Sequence, residues 1–448
     1  MESLHKDATD YLIHEGNSVE KLLVFEKEVL REAPKPKIDI SQFKPITVTE
    51  LIEILGLTIK KDETNKLIAF LGMTTVYTED SQLNISFNAP SSTGKSYIPT
   101  EVSRLFPEED VMEMGYTSPT AFFHDTGKYN KEKNEILIDL SRKILIFLDQ
   151  PHTQLLERLR PVLSHDSKEL KLRITDKNQK GGMITKNVVI RGFPVVIFCT
   201  VGLNIDEQES TRFILLSPET SQEKIREAIH EKVKKETDKG AYKNYIEKIP
   251  ERKILKERIE AIKQENIKDI ILGDPCLLEE LFFKKNKNLK PRHQRDVGRL
   301  ISLVKAFALI NCWFREREED SIIANADDVN AAFSLWETIS ESQELNIPPY
   351  IYKIFQEVIL PAYAANMRSY RDAFGLERKE ISNKHFDVYG RLLGDPALRL
   401  QILPALENAG LIYQELHPKD KRKKLVYPTV EPDINLGRNN SVEDQGVE

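Results

Sequence analysis

Leu83-Asn-Ile-Ser-Phe87 alternates apolar and polar residues and runs through Asn88 into Ala89-Pro-Ser-Ser-Thr-Gly94-Lys95-Ser96. A strand, then a loop of small residues, then Gly-Lys-Ser is how a chain cradles a nucleoside triphosphate. Backbone N–H groups of Pro90's successors Ser91, Ser92, Thr93 and Gly94 wrap the phosphates, Lys95 neutralises the outer ones, and the Ser96 hydroxyl can ligate Mg²⁺. A helix starting near Ser96 adds its positive end to the same anion. Ala89 stands where the usual pattern has its first Gly. The expected ligands are ATP and Mg²⁺, and the expected class is an ATPase.

Downstream, Lys143-Ile-Leu-Ile-Phe-Leu148 is a continuous apolar run ending in Asp149, the pattern of a buried parallel strand. In open α/β sheets the ligand lies beyond the carboxyl ends of the strands, so Asp149 can hold Mg²⁺ there. The alternative is that Asp149 caps the next helix, with Pro151 in its first turn. A third run, Val195-Val-Ile-Phe-Cys199, ends in Thr200 and brings a hydroxyl toward the same place.

With 448 residues the chain has room for two or three domains. Its 65 Lys and Arg against 71 Asp and Glu leave a net charge of −6, so any nucleic-acid contact has to come from local patches. The first residues lack the layout of a secretory signal, and no apolar run approaches the ~20 residues that span a bilayer. A soluble, cytoplasmic protein without a membrane partner is expected. Cys199, Cys276 and Cys312 are widely spaced and read as reduced thiols rather than a disulfide or zinc framework.

Six regions follow from the pattern. Residues 1–45 form a helical arm around Val19–Leu30. Residues 46–220 alternate helix and strand signals, as a parallel α/β core does. Within them Leu170–Thr175 and Met183–Ile190 alternate on both sides of Gly181-Gly182, a hairpin signal. Its tip carries Lys177 and Lys180, with Lys186 on the return strand: either a solvated tip or a basic projection. Residues 221–290 are charge-rich with signs interleaved, the mark of a solvated helical insertion. Residues 291–345 form a helical lid. In 346–430, Ser382 caps a helix to about Leu393, Pro396–Asn408 forms another that Gly410 stops, and two strands flank the turn bearing Lys421, Arg422 and Lys423. That is the winged-helix order, serving DNA or protein contacts. The tail 431–448 is polar and expected to be disordered.

Taken in this order, phosphate loop, Asp strand, hairpin, Thr strand, lid and winged helix resemble the AAA+ ATPase module of the minichromosome maintenance (MCM) replicative helicases. Ser210-Thr-Arg212-Phe213-Ile-Leu-Leu is similar to the family's Ser-Arg-Phe-Asp-Leu motif, which implies that Arg212 is an arginine finger reaching the neighbouring subunit's ATP. The resemblance also implies sensor roles for Thr200, where the family usually has Asn, and for Arg295. It makes the Gly181-Gly182 hairpin a DNA-translocating element. Gln150 departs from the family, which has a water-activating Glu there; an amide cannot accept the water's proton, and Glu113 and Glu157 are candidate substitutes. Residues 1–45 show nothing like the family's oligonucleotide-binding N-terminal domain. The fold implied is an AAA+ P-loop core with helical lid, followed by a winged helix. The function implied is a hexameric, ring-forming ATP-dependent helicase or translocase on single-stranded or forked DNA. The alternative is an ATP-switched DNA-binding scaffold or loader with slow hydrolysis.

Overall fold

The computed structural model describes residues 37–115, 117, 128–130, 135–176, 184–201, 211–369 and 375–430. The chain divides into two compact units, Met1–Gln42 and Phe43–Glu448. In the first, a short 3₁₀ turn covers Ile40–Gln42. The arm helix expected around Val19–Leu30 lies outside the described residues, as does the tail 431–448.

The second unit opens with α1 (Val48–Gly56), started by reciprocal bonds at Thr47. Its hydroxyl accepts from Glu50 N at 3.2 Å, and the Glu50 carboxylate accepts from Thr47 N at 2.7 Å. Next come α2 (Glu63–Thr74), β1 (Ile85–Asn88), α3 (Tyr97–Ser103), β2 (Val111–Met114), β3 (Lys128–Asn130), β4 (Glu135–Asp139) and β5 (Ile144–Phe147). They are followed by α4 (Thr153–Leu163), β6 (Glu169–Asp176), β7 (Ile184–Arg191), β8 (Val195–Thr200) and β9 (Ile214–Leu216).

Five of these strands form one sheet in the order β2-β5-β8-β1-β9, and every neighbouring pair is parallel. The apolar runs are continuous because both faces are covered. Ile144 and Ile146 of β5 enter a core built with α1, α2 and the lid, while Leu145 and Phe147 enter a second core with α4. Each fully buried Phe or Ile there contributes ~1.5–3 kcal/mol relative to exposure. The second core is closed by another sheet, β3-β4-β7-β6. The expected hairpin is its β6–β7 pair, antiparallel from Glu169↔Arg191 to Asp176↔Ile184. Its tip, with Lys177, Lys180 and Gly181-Gly182, lies outside the described residues.

The charged segment is α5 (Gln222–Thr237), α6 (Lys239–Lys248), α7 (Pro250–Glu265), β10 (Asp269–Leu272) and α8 (Pro275–Lys285). The lid adds α9 (His293–Ile310), β11 (Arg317–Glu318), β12 (Ser321–Ala324), α10 (Ala326–Glu337) and α11 (Ser340–Glu344). A boundary at 290 does not separate two bodies, because β10 pairs in parallel with β12 across it. Nor is the segment merely a solvated face: Lys224, Glu231, Arg252 and Arg258 are buried in it. Alternating charge hides such residues from a polarity reading, since buried cations here find carboxylates and carbonyls that only the fold supplies.

The last region has its own core, from Ile347 to Val426. α12 (Pro349–Ile354) continues through a wide π turn, Phe355–Ile359, into α13 (Leu360–Ser369). α14 (Arg378–Tyr389) follows; then α15 (Asp395–Ala397) passes through a second π turn, Leu398–Ile402, into α16 (Leu403–Asn408). β13 (Ile412–Leu416) and β14 (Lys424–Pro428) form an antiparallel hairpin. Ser382 is not a cap, contrary to expectation. Glu377 starts α14 together with Glu380, and Ser382, inside the helix, donates to Leu393 O at 2.8 Å. The helix stops at Gly390 rather than Leu393, its left-handed φ of +71° ending the turn. Gly410 has the same φ and terminates α16 as the sequence predicts.

Arg258 of α7 pins the start of the second unit to the lid. It donates to Ile310 O at 2.8 Å and to Lys44 O, and lies over the rings of Phe43 and Trp313 at 5.0 and 5.7 Å. Arg258→Ala leaves the buried Ile310 carbonyl without its donor, takes the bond from Lys44 O and removes a buried guanidinium from between two rings, and should lower the unfolding free energy by about 2–4 kcal/mol, measured by urea denaturation. A loss below about 0.5 kcal/mol would show that this clasp is not part of the cooperative fold.

Candidate functional site

The phosphate loop leaves β1 between its partners β8 and β9 at the carboxyl edge of the sheet. Ser86 and Asn88 fix the end of β1 on one face: Ser86 Oγ donates to Asn88 Oδ1 at 2.8 Å. Ala89 N then bonds Thr200 O at 3.3 Å, holding the loop's first residue against the end of β8. Beyond it the backbone takes positive φ at Ser92 (+66°) and Gly94 (+91°). Such alternation turns consecutive N–H groups to one side, the geometry of an anion nest. A Cβ at Gly94 would meet nothing within 4 Å, so conformation rather than space favours glycine there. Thr93 Oγ1 donates to Pro90 O at 2.9 Å and closes the loop on itself.

Lys95 and Ser96 sit where this loop turns into α3. Ser96 Oγ lies 3.5 Å from Leu148 O, beside the end of β5, so its hydroxyl and Asp149 come from adjacent backbone segments. These two side chains would hold Mg²⁺, which would supply a charge clamp on the phosphates. The loop's left-handed residues, the adjacent lysine and the hydroxyl–carboxylate pair fit a nucleoside triphosphate with its metal. Asp149 does not cap α4: His152 does, its Nδ1 accepting from Gln154 N at 3.2 Å. Cys199 lies directly beneath the loop, donating to Lys95 O at 3.3 Å. Burial pushes its thiol up to about 11, so it stays protonated.

Gln150 and Thr200 meet, with Thr200 Oγ1 donating to Gln150 Oε1 at 2.9 Å. The amide that follows Asp149 and the hydroxyl that ends β8 are therefore in direct contact. Glu113 is turned elsewhere, accepting from Ser103 Oγ at 3.2 Å at the end of α3 away from the phosphate loop. Glu157 lies on the exposed side of α4.

Arg212 and Arg295 do not join this group. Arg212 precedes β9, and in a parallel sheet that puts it at the amino edge. Its Nε donates to Ser164 Oγ at 2.7 Å, and Arg295 donates to Thr211 Oγ1. Both line a cavity of about 460 Å³ together with Arg299, His165 and Lys305. Arg299 went unread in the sequence. It is buried, pairs with Asp296 at 3.1 Å, and donates to Thr211 O and Phe213 O at 2.7 and 3.0 Å, fixing the backbone on either side of Arg212. Burial pulls its guanidinium down to about 10. Its place four residues after Arg295 on a helix is the signal that could have found it.

A second cavity, about 560 Å³, adjoins the phosphate loop at Ser91–Gly94 and is walled by Thr58–Lys60 and by α5. Lys224 of α5 forms its polar floor, pairing with Asp62 and donating to Glu219 O at 2.9 Å and Thr93 O at 3.4 Å. Asp62 is itself left-handed (φ +57°), and its Oδ1 accepts from Asn65 Nδ2 at 2.8 Å and Glu219 N at 2.7 Å.

The wing cations are partly neutralised. Arg422 pairs with Asp420 at 3.0 Å and Lys423 with Glu377 at 2.9 Å, while Lys421 is exposed. Lys186 lies on β7 opposite Ile174.

An α/β fold with a parallel sheet, flanking helices and this loop defines the P-loop nucleotide-binding class. In keeping with it, the family described as "MTBMA_p00010 P-loop domain" matches residues 47–265. No curated protein matches the chain. Among solved structures, a full-length MCM homolog from Methanopyrus kandleri is similar, at 13% identity and a TM-score of 0.41 over 68% of this chain. The match takes in 64% of that homolog, less than two-thirds of its length. This likeness assigns no role to any residue here. Among the described residues no helix is long and apolar enough to cross a membrane.

Because Gln150 is already bonded to Thr200, Gln150→Glu puts a proton acceptor in place without rebuilding the site. It should raise steady-state ATP turnover about 10- to 100-fold, measured by phosphate release. Unchanged turnover would remove position 150 from the chemistry.

Proposed function

We propose that this chain is a ring-forming ATPase of MCM-like AAA+ type that moves on DNA, with each nucleotide held between two copies. The observation that carries this reading is the placement of two cation sets at opposite edges of one parallel sheet: Lys95 follows β1, and Arg212 precedes β9. The strand alone separates them by ~13 Å. An arginine that stabilises a transferring phosphate then comes from a second copy, through the head-to-tail contact that closes a ring. In this reading Lys95 and the loop Pro90–Ser96 hold the triphosphate, and Ser96 and Asp149 hold Mg²⁺. Thr200 and Gln150 orient water, and Arg212 and Arg295 act from the neighbour. The hairpin bearing Lys177, Lys180 and Lys186 and the wing with Lys421, Arg422 and Lys423 follow DNA through its phosphates. Residues 346–430 serve as the winged helix.

A second reading, an ATP-switched DNA-binding scaffold or loader, is favoured by Gln150. With no carboxylate beside Asp149 on that strand end, hydrolysis is slow, and the pairing of Arg422 and Lys423 with acids weakens the wing as a phosphate binder. DNA-stimulated turnover supports the motor; tight ATP binding with negligible turnover in the presence of forked DNA supports the switch.

Trans completion has a direct test in mixed assemblies. Lys95→Ala and Arg212→Ala should each be inactive alone, and mixed one to one should recover to about a quarter of wild-type turnover, since one head-to-tail interface in about four then pairs an intact Lys95 with an intact Arg212. A mixture as inactive as its components would sink the shared site.

A further inference from the structure

The cavity beside the phosphate loop has a wall that its own domain does not supply. Tyr389 and Arg391, at the end of α14 in the C-terminal module, line it together with Ser91–Gly94 and α5. Two hydrogen-bonded connections hold the module there. Gln222 Nε2, at the start of α5, donates to Tyr389 O at 3.0 Å. The other runs from the phosphate-loop strand itself: Ser217 Oγ donates to Asn88 O at 2.7 Å and accepts from Tyr350 N at 3.0 Å. The Tyr350 hydroxyl in turn accepts from Arg391 Nη2 at 3.3 Å.

Charge singles out Arg391. Most lysines around the cavity are matched: Lys60 lies 3.4 Å from Glu231, Lys235 is 3.4 Å from Glu101, and Lys224 pairs with Asp62. Among the described residues no carboxylate lies within ion-pair distance of Arg391, whose one side-chain bond is the long one to Tyr350. A guanidinium with four further N–H groups, beside a phosphate loop, is built to meet an anion. We propose that Arg391 is a nucleotide-binding residue, contributed by the C-terminal module to the nucleoside triphosphate held at Lys95 of the same copy. Binding therefore tightens the module against the core, and release loosens it. This rests on the phosphate-loop reading above.

The test uses the full chain, a fluorescent ATP analogue read by anisotropy, and hydrogen–deuterium exchange with and without non-hydrolysable ATP. Arg391→Ala should weaken analogue binding about 5- to 20-fold, with Arg391→Lys between it and wild type. In wild type, nucleotide should slow exchange across residues 378–408, and Arg391→Ala should lose that protection while keeping the wild-type pattern in its absence. Gln222→Ala, which leaves Arg391 intact and breaks the clasp on Tyr389, should also reduce the protection. If Lys95→Ala abolishes binding but Arg391→Ala binds as wild type, or if protection stays within residues 43–265, the proposal is overturned while the phosphate-loop reading stands. Wild-type binding by Lys95→Ala would overturn both.

Discussion

β1 is hydrogen-bonded on both sides and buried on both faces, and a strand so enclosed can release its chain only at its ends. At the carboxyl end the chain must turn over the sheet with its backbone donors unpaired by any ladder. Positive φ at Ser92 and Gly94 makes that turn, and the orphaned donors become an anion site instead of a defect. The same parallelism commits whatever precedes β9 to the other edge. The order β5-β8-β1 also decides what faces the loop, because β8 stands between the phosphate strand and the acid strand and brings Cys199 and Thr200 up between them.

Much of this was legible in the residues. Phosphate loop, acid strand and Thr strand are each short and contiguous, so the local pattern contains all the information the contact requires. Gly410 was legible for the same reason: one residue, one backbone conformation. Ser382 was not, because capping depends on which residue stands at the true helix start, and Glu377 with Glu380 takes that place through a bond that spacing alone does not rank above a serine's. The tying of β10 to β12 joins residues about fifty apart with no signal in either strand.

The charged helix α5 is the more instructive miss. Interleaved Lys and Glu describe a solvated helix when every charge points outward, and α5 does expose Ile229 and Val233 beside many charges. One turn, however, carries Lys224 inward to Asp62, a left-handed aspartate between α1 and α2 that also accepts from Glu219 and Asn65. Burying this pair is tolerable because Asp62 Oδ1 accepts two further bonds and the other protons of Lys224 find carbonyls, Thr93 O among them. Removing either ion would leave the other desolvated and unpaired, which makes the node a rigid coupling between α5 and the phosphate loop. Arg299 works likewise at the opposite edge, where a buried guanidinium holds two carbonyls around Arg212. Neither role is visible in composition, since both depend on what the fold brings within 3 Å.

Gln150 bears on how these parts act together. An amide in place of a carboxylate removes a proton acceptor from the site and, equally, one negative charge from beside Asp149. In the proposed reading the first change would slow hydrolysis and the second would lessen repulsion toward a polyanion. Both would lengthen the time a triphosphate stays bound. Long occupancy is of little use to a site that acts only through turnover, but it suits one whose walls include parts of other modules. Here α5 reaches the phosphate loop through Lys224, and the C-terminal module reaches it through the chain Asn88, Ser217, Tyr350. A bound nucleotide that persists would hold the nucleotide-binding core, α5 and the C-terminal module in one arrangement, so that the state of the ligand, more than the rate of its hydrolysis, would be what the remainder of the molecule registers.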